Sequence, residues 1–400
     1  KILVLSKTNQ LKNKNICIVT EEFRPSKKGG IASWSEGLAE YFSSQDHKVT
    51  VYVKKHGGID HSFNCASVPY KIYLVNGRDW PFFKKWYIQF SIKKYIKNNT
   101  KSIIISSNWE LSEGIVKHKK RFKFFLITAL HGLEVTRLNS KKYLKRKKGF
   151  IHTLGLSDKV ISVSNYTKKE AYKIIKNKKI EVIPNFVNTR DFFPIDRNKL
   201  FKQYNLIDSG KIILSLSRLV RRKGHHLVVK SLKYLKKEIP NFKYLIAGTG
   251  DLEYKKDLEN LTKDLNLEEN IVLLGFIDEN IKNEIYNLCD IYIMNSLPID
   301  QDGNSEGFGI TFLEANSCGK PVIGTNVGGI SDAIKNGVNG YVIDSNNPKK
   351  LSRYIVKILN NKNLYSTLSK NALGMVRKNF DIEIVGKKFN AIIDKVYDFD

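Results

Sequence analysis

Two facing doubly wound α/β domains are the architecture this sequence predicts, and three observations predict it. The chain has 400 residues, too many for one ordinary domain and suited to two of common size. Short β-branched runs alternate with helix-length amphipathic segments, the pattern of a parallel sheet covered by helices on both faces. That alternation occurs twice, and the Pro/Asn/Asp-rich segment PNFVNTRDFFPIDRNK (184–199), which lacks periodicity, separates the two sets as a hinge.

The first set of expected strands is NICIVT, KVTVYV, YKIYLV, SIIIS, FKFFLITAL, KVISVS and KIEVI, with helical stretches such as GIASWSEGLAEYF between several of them. The second set is KIILSLS, FKYLIAG, IVLLGF, IYIMNS, PVIGTN and GYVID. Residues 1–190 and 191–380 are therefore expected to form two Rossmann-like domains, and the helical segment 381–400 to cross back onto the first. The opening KILVLS reads equally as a strand or a tail.

At 42% hydrophobic and 27% charged residues the chain has ordinary globular composition. Its longest apolar runs, such as FFLITAL (124–130), fall far short of a membrane span, and the first residues lack a secretory signal pattern. Cys17, Cys65, Cys289 and Cys318 are scattered without a CxxC pair, which suits reduced thiols packed as small apolar groups in a cytosolic protein. Neither disulfides nor zinc are expected. Charge is the unusual feature. The net value is +29, and residues 1–200 hold 40 Lys and Arg against 15 Asp and Glu, whereas residues 201–400 hold 28 against 24. The first half thus suits an anionic partner, namely nucleic acid, an acidic membrane face or a phosphorylated substrate; a lysine-rich surface that is merely solvated fits equally well. No zinc-finger, helix-turn-helix or RNP-type sequence supports nucleic acid.

In doubly wound domains ligands bind beyond the carboxyl ends of the strands, so the strand-to-helix loops carry the chemistry. In EEFRPSKKGGIAS, Gly29 and Gly30 let backbone approach a ligand ahead of a helix N-terminus. In SLSRLVRRKGHH, four of the eight residues Arg218–His225 are cationic and could neutralise a diphosphate, although a bare charge cluster also describes a solvated turn. Gly248 and Gly250 of AGTGD permit a tight turn but do not extend to a GxGxxG fingerprint. The fourth loop, SEGFGITFLE, sets Glu306 and Glu314 on either side of Gly307, Phe308 and Gly309. A helix starting near Gly309 would leave the amides of Phe308, Gly309, Ile310 and Thr311 open to an anion. The two carboxylates would then lie about 12 Å apart along the helix, too far to share a proton, and each could grip sugar hydroxyls. The competing interpretation, in which Glu306 caps the helix and Glu314 is an exposed helical residue, stands beside it.

Taken together, FRPSKKGGIASWSEGLAE, ALHGLE, VIPNFVNTRDFFP, LSRLVRRKG, IAGTGD, LLGF and SEGFGITFLEANSCGKPVIGTNVGGISDAI resemble the family-4 glycosyltransferases, retaining enzymes of the GT-B fold that move a sugar from a nucleotide sugar. The resemblance covers nearly the whole chain. It implies that Arg218 and Lys223 bind the donor diphosphate, Glu306 the transferred sugar and Glu314 the ribose. The amides around Phe308–Thr311 would take a phosphate and sugar hydroxyls, Gly30 would approach the diphosphate from the other domain, Ile277 would border the base and His131 would face the sugar. It also implies an acceptor such as a cell-surface glycan or lipid-linked sugar, no cofactor and no metal. Negative charge builds on the departing phosphate of an oxocarbenium-like transition state, which cations and a helix dipole stabilise. Two departures stand out. Phe186 occupies the place of a usual glycine at the hinge, and PIDQDGN carries Asp300 and Asp302, an Asp-x-Asp read here as turn chemistry. Nucleotide-sugar epimerases and phosphorylases share two facing doubly wound domains, but the full context of Glu306 and Glu314 disfavours both.

Two basic segments of the first domain combine cations with apolar residues, so cytoplasmic placement, peripheral on the inner face of the cell membrane, is expected. Helical spacing in 141–154 gathers Tyr143, Leu144, Phe150, Ile151 and Leu154, with only Lys147 intruding; in 80–97 it gathers Phe82, Phe83, Trp86, Tyr87 and Phe90, but Lys93, Lys94 and Lys97 break that stripe, and for both a helix packed on its own sheet fits equally well.

Overall fold

The computed structural model describes residues 13–26, 29–55, 64–75, 81–99, 101–204, 210–344 and 346–397, apart from the side chains of 81–88, 396 and 397. Strands β1 (Asn15–Thr20), β2 (Lys48–Lys54), β3 (Lys71–Val75), β4 (Ile103–Ser106), β5 (Phe125–Leu130), β6 (Lys159–Ser162) and β7 (Ile180–Val182) form one sheet in the order β3-β2-β1-β4-β5-β6-β7. Strands β8 (Lys211–Leu216), β9 (Phe242–Ala247), β10 (Ile271–Gly275), β11 (Ile291–Met294), β12 (Val322–Thr325) and β13 (Gly340–Ile343) form a second, in the order β10-β9-β8-β11-β12-β13. Every pairing is parallel. Strands such as β4 and β11 are buried at every residue, as continuous apolar runs covered on both faces must be. In each sheet the strand order reverses beside the first strand of its domain, so the crevices lie beyond the ends of β1 and β4 and of β8 and β11. The loops after β1, β5, β8 and β11 are those that carry Gly30, His131, Lys223 and Glu306.

The helix Gly30–Ser44 buries Trp34, Leu38, Tyr41 and Phe42, one face at helical spacing, against the first sheet. The helix Ile382–Tyr397 adds Val385, Phe389, Ile392 and Ile393 to that same core. Phe389 stands edge-on to Trp34 and Phe42, and Asn390 donates to the Tyr41 hydroxyl at 3.1 Å. Where this helix leaves the second domain, the Val187 amide donates to the Phe380 carbonyl at 2.9 Å and the Ile382 amide to the Val187 carbonyl at 3.0 Å. The two chain crossings between domains are thus bonded to each other. At the hinge, Phe186 does not adopt the left-handed conformation, and its buried ring joins the first core, so the turn makes no use of a glycine's freedom.

One expectation is corrected. Residues Lys141–Arg146 form a tight 3-10 turn and only Lys147–Leu156 an α-helix, so the apolar residues of this segment do not share one face. Phe150 and Leu154 belong to the core with Trp109, and Leu144 and Ile151 remain exposed, because the sheet claims the larger apolar surface. The side chains of Phe82, Phe83, Trp86 and Tyr87 lie outside the described residues, and Phe90 is exposed. Cys17, Cys289 and Cys318 are buried free thiols, whereas Cys65 is exposed. Among the described residues no helix is long and apolar enough to cross a membrane.

Candidate active site

After β8 the chain makes a 3-10 turn, Arg221–Lys223, closed by Gly224 in the left-handed conformation. This turn sends two cations onto one carboxylate. Lys223 Nζ lies 2.6 Å and Arg222 Nη1 3.1 Å from Glu306 Oε2, and all three side chains are largely buried. Burial alone would raise the Glu306 carboxyl, but Lys223 and Arg222 more than offset it and hold it below the usual carboxylate range. Burial pulls the Lys223 amine down, with Arg222 and Arg218 pulling the same way against Glu306. Three residues beyond Glu306, Gly309 takes the left-handed conformation and begins the helix Ile310–Ser317 without a side-chain cap. The first-turn amides at Ile310 and Thr311 are accordingly open to an anion beside the cations.

The first domain meets this loop through backbone. Gly132 (φ 123°) and Gly307 pack so closely that a Cβ on Gly132 would stand 2.8 Å from Gly307 Cα, which only glycine permits. Thr136 Oγ1 donates to the Gly303 carbonyl at 2.6 Å, and Arg137 Nη2 to Asn304 Oδ1 at 2.9 Å. Asp300 turns the same loop by accepting from Asn304 N and Nδ2 at 2.8 and 2.7 Å, and Asp302 faces Lys142 at 4.0 Å. Among the described residues no group of three or more His, Cys, Asp or Glu side chains could hold a metal ion. A second clasp joins Asp332 to the N-terminus of the helix Asn165–Tyr172, accepting from Asn165 N and Nδ2 at 3.1 and 2.6 Å.

His131 follows β5 and lies edge-on to Trp34 at 4.9 Å. Its Nε2 is buried without a partner among the described residues, and burial holds its pKa down at about 4, so the ring is neutral at ordinary pH. Glu134 Oε1 accepts from the His131 and Gly132 amides at 2.6 and 3.4 Å and fixes that turn. Gly30 approaches from the other side of the crevice, where an added Cβ would stand 3.6 Å from Ile310 Cδ1.

Glu314 is buried, which removes the exposed-residue interpretation. Its Oε1 receives Lys282 Nζ at 2.8 Å and its Oε2 the Tyr286 hydroxyl at 2.5 Å. Glu306 does not cap the helix either, since its carboxylate is spent on the two cations. Between the domains lies a cavity of 360 Å³ whose walls include Gly29, Glu36, Asn280, Asn283, Ile310 and Glu314.

The structure therefore brings Gly30, His131, Lys223, Glu306, Gly307, Gly309, Ile310 and Thr311 to one crevice, with Gly29 and Glu314 on the adjoining cavity. Others lie elsewhere. Arg218 is exposed yet near enough to act on the charge of Lys223, and Arg222, another of the loop's four cations, pairs with Glu306 beside Lys223. Gly248 and Gly250 pack on the backbone of Ser217 and Leu219, supporting the cationic loop from behind. Ile277 is half-buried against the second-domain core, and the Phe308 ring is buried near Phe380. Lys282 and Tyr286 were also missed. Their spacing of four places them on one helix face, but nothing local to that helix says that the face meets Glu314.

Two Rossmann-like domains closing on a cation-paired carboxylate at a helix N-terminus define the GT-B class of glycosyltransferase. Residues 196–375 match the model described as Glycosyl transferases group 1, and residues 28–191 the model described as Glycosyltransferase Family 4. N-acetyl-alpha-D-glucosaminyl L-malate synthase of Bacillus anthracis is 30% identical over 268 residues, covering 67% of each chain. The GDP-mannose-dependent alpha-(1-6)-phosphatidylinositol monomannoside mannosyltransferase of Mycolicibacterium smegmatis is 25% identical over 333 residues, 82% of this chain and 84% of the relative. Anabaena HepE, solved in complex with UDP, superimposes with a TM-score of 0.78 at 17% identity, over 95% of this chain and all of that one. The chain belongs to the family-4 glycosyltransferases and catalyses glycosyl transfer.

Proposed function

We propose that the protein transfers a sugar from a nucleoside-diphosphate sugar to a hydroxyl of a lipid-linked or cell-surface glycan, with retention of anomeric configuration and without a metal. The observation that carries this reading is the pairing of Lys223 and Arg222 with Glu306 beside the uncapped start of the helix Ile310–Ser317. An arriving diphosphate competes for the two cations and the helix amides, and frees Glu306 to accept from hydroxyls of the transferred sugar. As the anomeric carbon–oxygen bond breaks, the electron pair leaves on the phosphate, where the same cations offset the growing charge. The acceptor oxygen bonds to the anomeric carbon on the face the phosphate vacates, and its proton passes to a phosphate oxygen. Neutral His131 is assigned to the sugar and Glu314 to the ribose. The mannosyltransferase relative is named for GDP-mannose and phosphatidylinositol, and HepE is solved with UDP, so nucleoside diphosphates and a lipid acceptor both have precedent among similar proteins.

Thermal stabilisation by a panel of nucleotide sugars identifies the donor, and turnover of that donor without nucleic acid separates this reading from a nucleic-acid-binding one. Product anomers resolved by NMR test retention, and activity lost in EDTA and restored by Mn²⁺ would refute metal independence. Peripheral docking on an anionic membrane is part of the proposal. Lys141, Lys145 and Lys148 are exposed beside exposed Leu144 and Ile151, whereas Arg146 is engaged by Glu110 and Glu113. Near an acidic bilayer each basic residue contributes about 1 kcal/mol. Co-sedimentation with anionic vesicles should fall with salt and on replacing these lysines by Gln; binding indifferent to both favours a soluble acceptor.

A further inference from the structure

We infer that Lys282 and Tyr286 are positioning residues for the donor: they fix the Glu314 carboxylate against the nucleoside, so that preference for ribose over deoxyribose depends on them. This rests on the reading of Glu314 as the ribose acceptor. Lys282 and Tyr286 lie four residues apart on the helix Glu279–Leu288 and reach Glu314 on a different helix. Each takes one oxygen, Lys282 Nζ to Oε1 at 2.8 Å and the Tyr286 hydroxyl to Oε2 at 2.5 Å. The terminal torsion of a glutamate is broad when free; held at both oxygens, it cannot turn without breaking a bond. Each oxygen has a second lone-pair site, so both remain able to accept from a ligand hydroxyl.

Charge and place argue the same way. Lys282, Tyr286 and Glu314 are all buried, and a buried carboxylate needs a counter-charge that Lys282 supplies. Burial would lower the Lys282 amine, but Glu314 and Glu279 outweigh it and hold it above its usual range. Glu314 lines the 360 Å³ cavity, as do Asn280 and Asn283 of the helix that carries Lys282. That helix starts at Glu279, two residues after Ile277, so the loop assigned to the base runs directly into the helix that supports the ribose acid. A pair serving stability alone is replaceable by apolar residues with little loss, and it would leave ligand selectivity unchanged.

The probes are UDP and GDP with their 2′-deoxy and 3′-deoxy forms, titrated calorimetrically into the wild-type protein and into Glu314→Gln, Lys282→Met, Lys282→Arg and Tyr286→Phe. The wild type is expected to favour the ribo form of its nucleotide by about tenfold. Glu314→Gln and Lys282→Met should shrink that preference to about twofold, Lys282→Arg should restore most of it, and Tyr286→Phe should lose less. In turnover assays KM for the donor should rise while kcat at saturation stays within severalfold. If Lys282→Met and Tyr286→Phe keep the wild-type preference while Glu314→Gln loses it, the reading of Glu314 stands and this inference falls. A wild type that shows no ribose dependence, or a Glu314→Gln protein that keeps the full wild-type preference, overturns the reading and the inference together. Should Lys282→Met fail to fold, Tyr286→Phe, which removes a single hydroxyl, decides the matter.

Discussion

Around Glu306 and around Glu314 the same device, a buried carboxylate paired to a lysine, is set in opposite surroundings. Glu306 lies in a loop pressed against the other domain, and both cations meet one of its oxygens, Oε2. Glu314 lies inside a helix, and its two oxygens are divided between a lysine and a tyrosine of the same domain. The first arrangement leaves cations that a stronger anion can claim, whereas the second leaves an acceptor held in place. In the proposed reaction the former arrangement serves the leaving phosphate and the latter the recognition of a fixed hydroxyl pattern.

The largest effect is expected for Lys223→Ala, which removes the closer cation at the growing charge. Turnover should drop about a hundredfold, roughly 3 kcal/mol, with thermal stability kept. Arg222→Ala should lose about tenfold and exceed exposed Arg218→Ala; steady-state rates in the reverse order would make Arg218 the stronger contact to the diphosphate. The clasp that presses the Glu306 loop into place is tested by Arg137→Ala, for which a severalfold loss in kcat/KM is expected, on the scale of one charge-assisted hydrogen bond. No loss would mean that closure does not depend on the Asn304 contact.

A smaller effect belongs to pH. His225, buried behind the cationic loop against Ser217, has its pKa pulled by burial to about 4. Below the unfolded value of about 6.5 the unfolded chain takes up a proton that the folded protein refuses, so stability should be complete above that pH and decline as pH falls toward about 4. His225→Asn should flatten the dependence of the melting temperature on pH across this window; an unchanged slope would show that His225 is protonated in the fold.

The Glu306 region was largely legible in sequence because its parts are contiguous: glycines, acid and helix start within ten residues define a loop that backbone geometry can read. Gly30 and Lys223 were legible for the same reason, as residues at strand ends. The Glu314 region was legible only for Glu314 itself, since Lys282 and Tyr286 arrive from another helix and tertiary packing alone joins them. The pairing of Arg222 with Glu306 was not legible, and the reason is turn geometry. The four cations of RLVRRK look alike in sequence, and only the folded turn Arg221–Lys223 shows that Arg222 joins Lys223 on Glu306. The apolar pattern of 141–154 misled because helical spacing was extended through a tight turn, and periodicity alone does not separate a membrane-facing stripe from one that packs on the sheet.

The division of labour between the two carboxylates is tested most directly by measuring kcat and donor KM for Glu306→Gln and Glu314→Gln in one assay. For Glu306→Gln, kcat should fall about a hundredfold with donor KM changed only severalfold; for Glu314→Gln, KM should rise about tenfold with kcat nearly kept. A Glu306→Gln protein with wild-type kcat, or a Glu314→Gln protein that loses kcat but not donor affinity, would contradict the account.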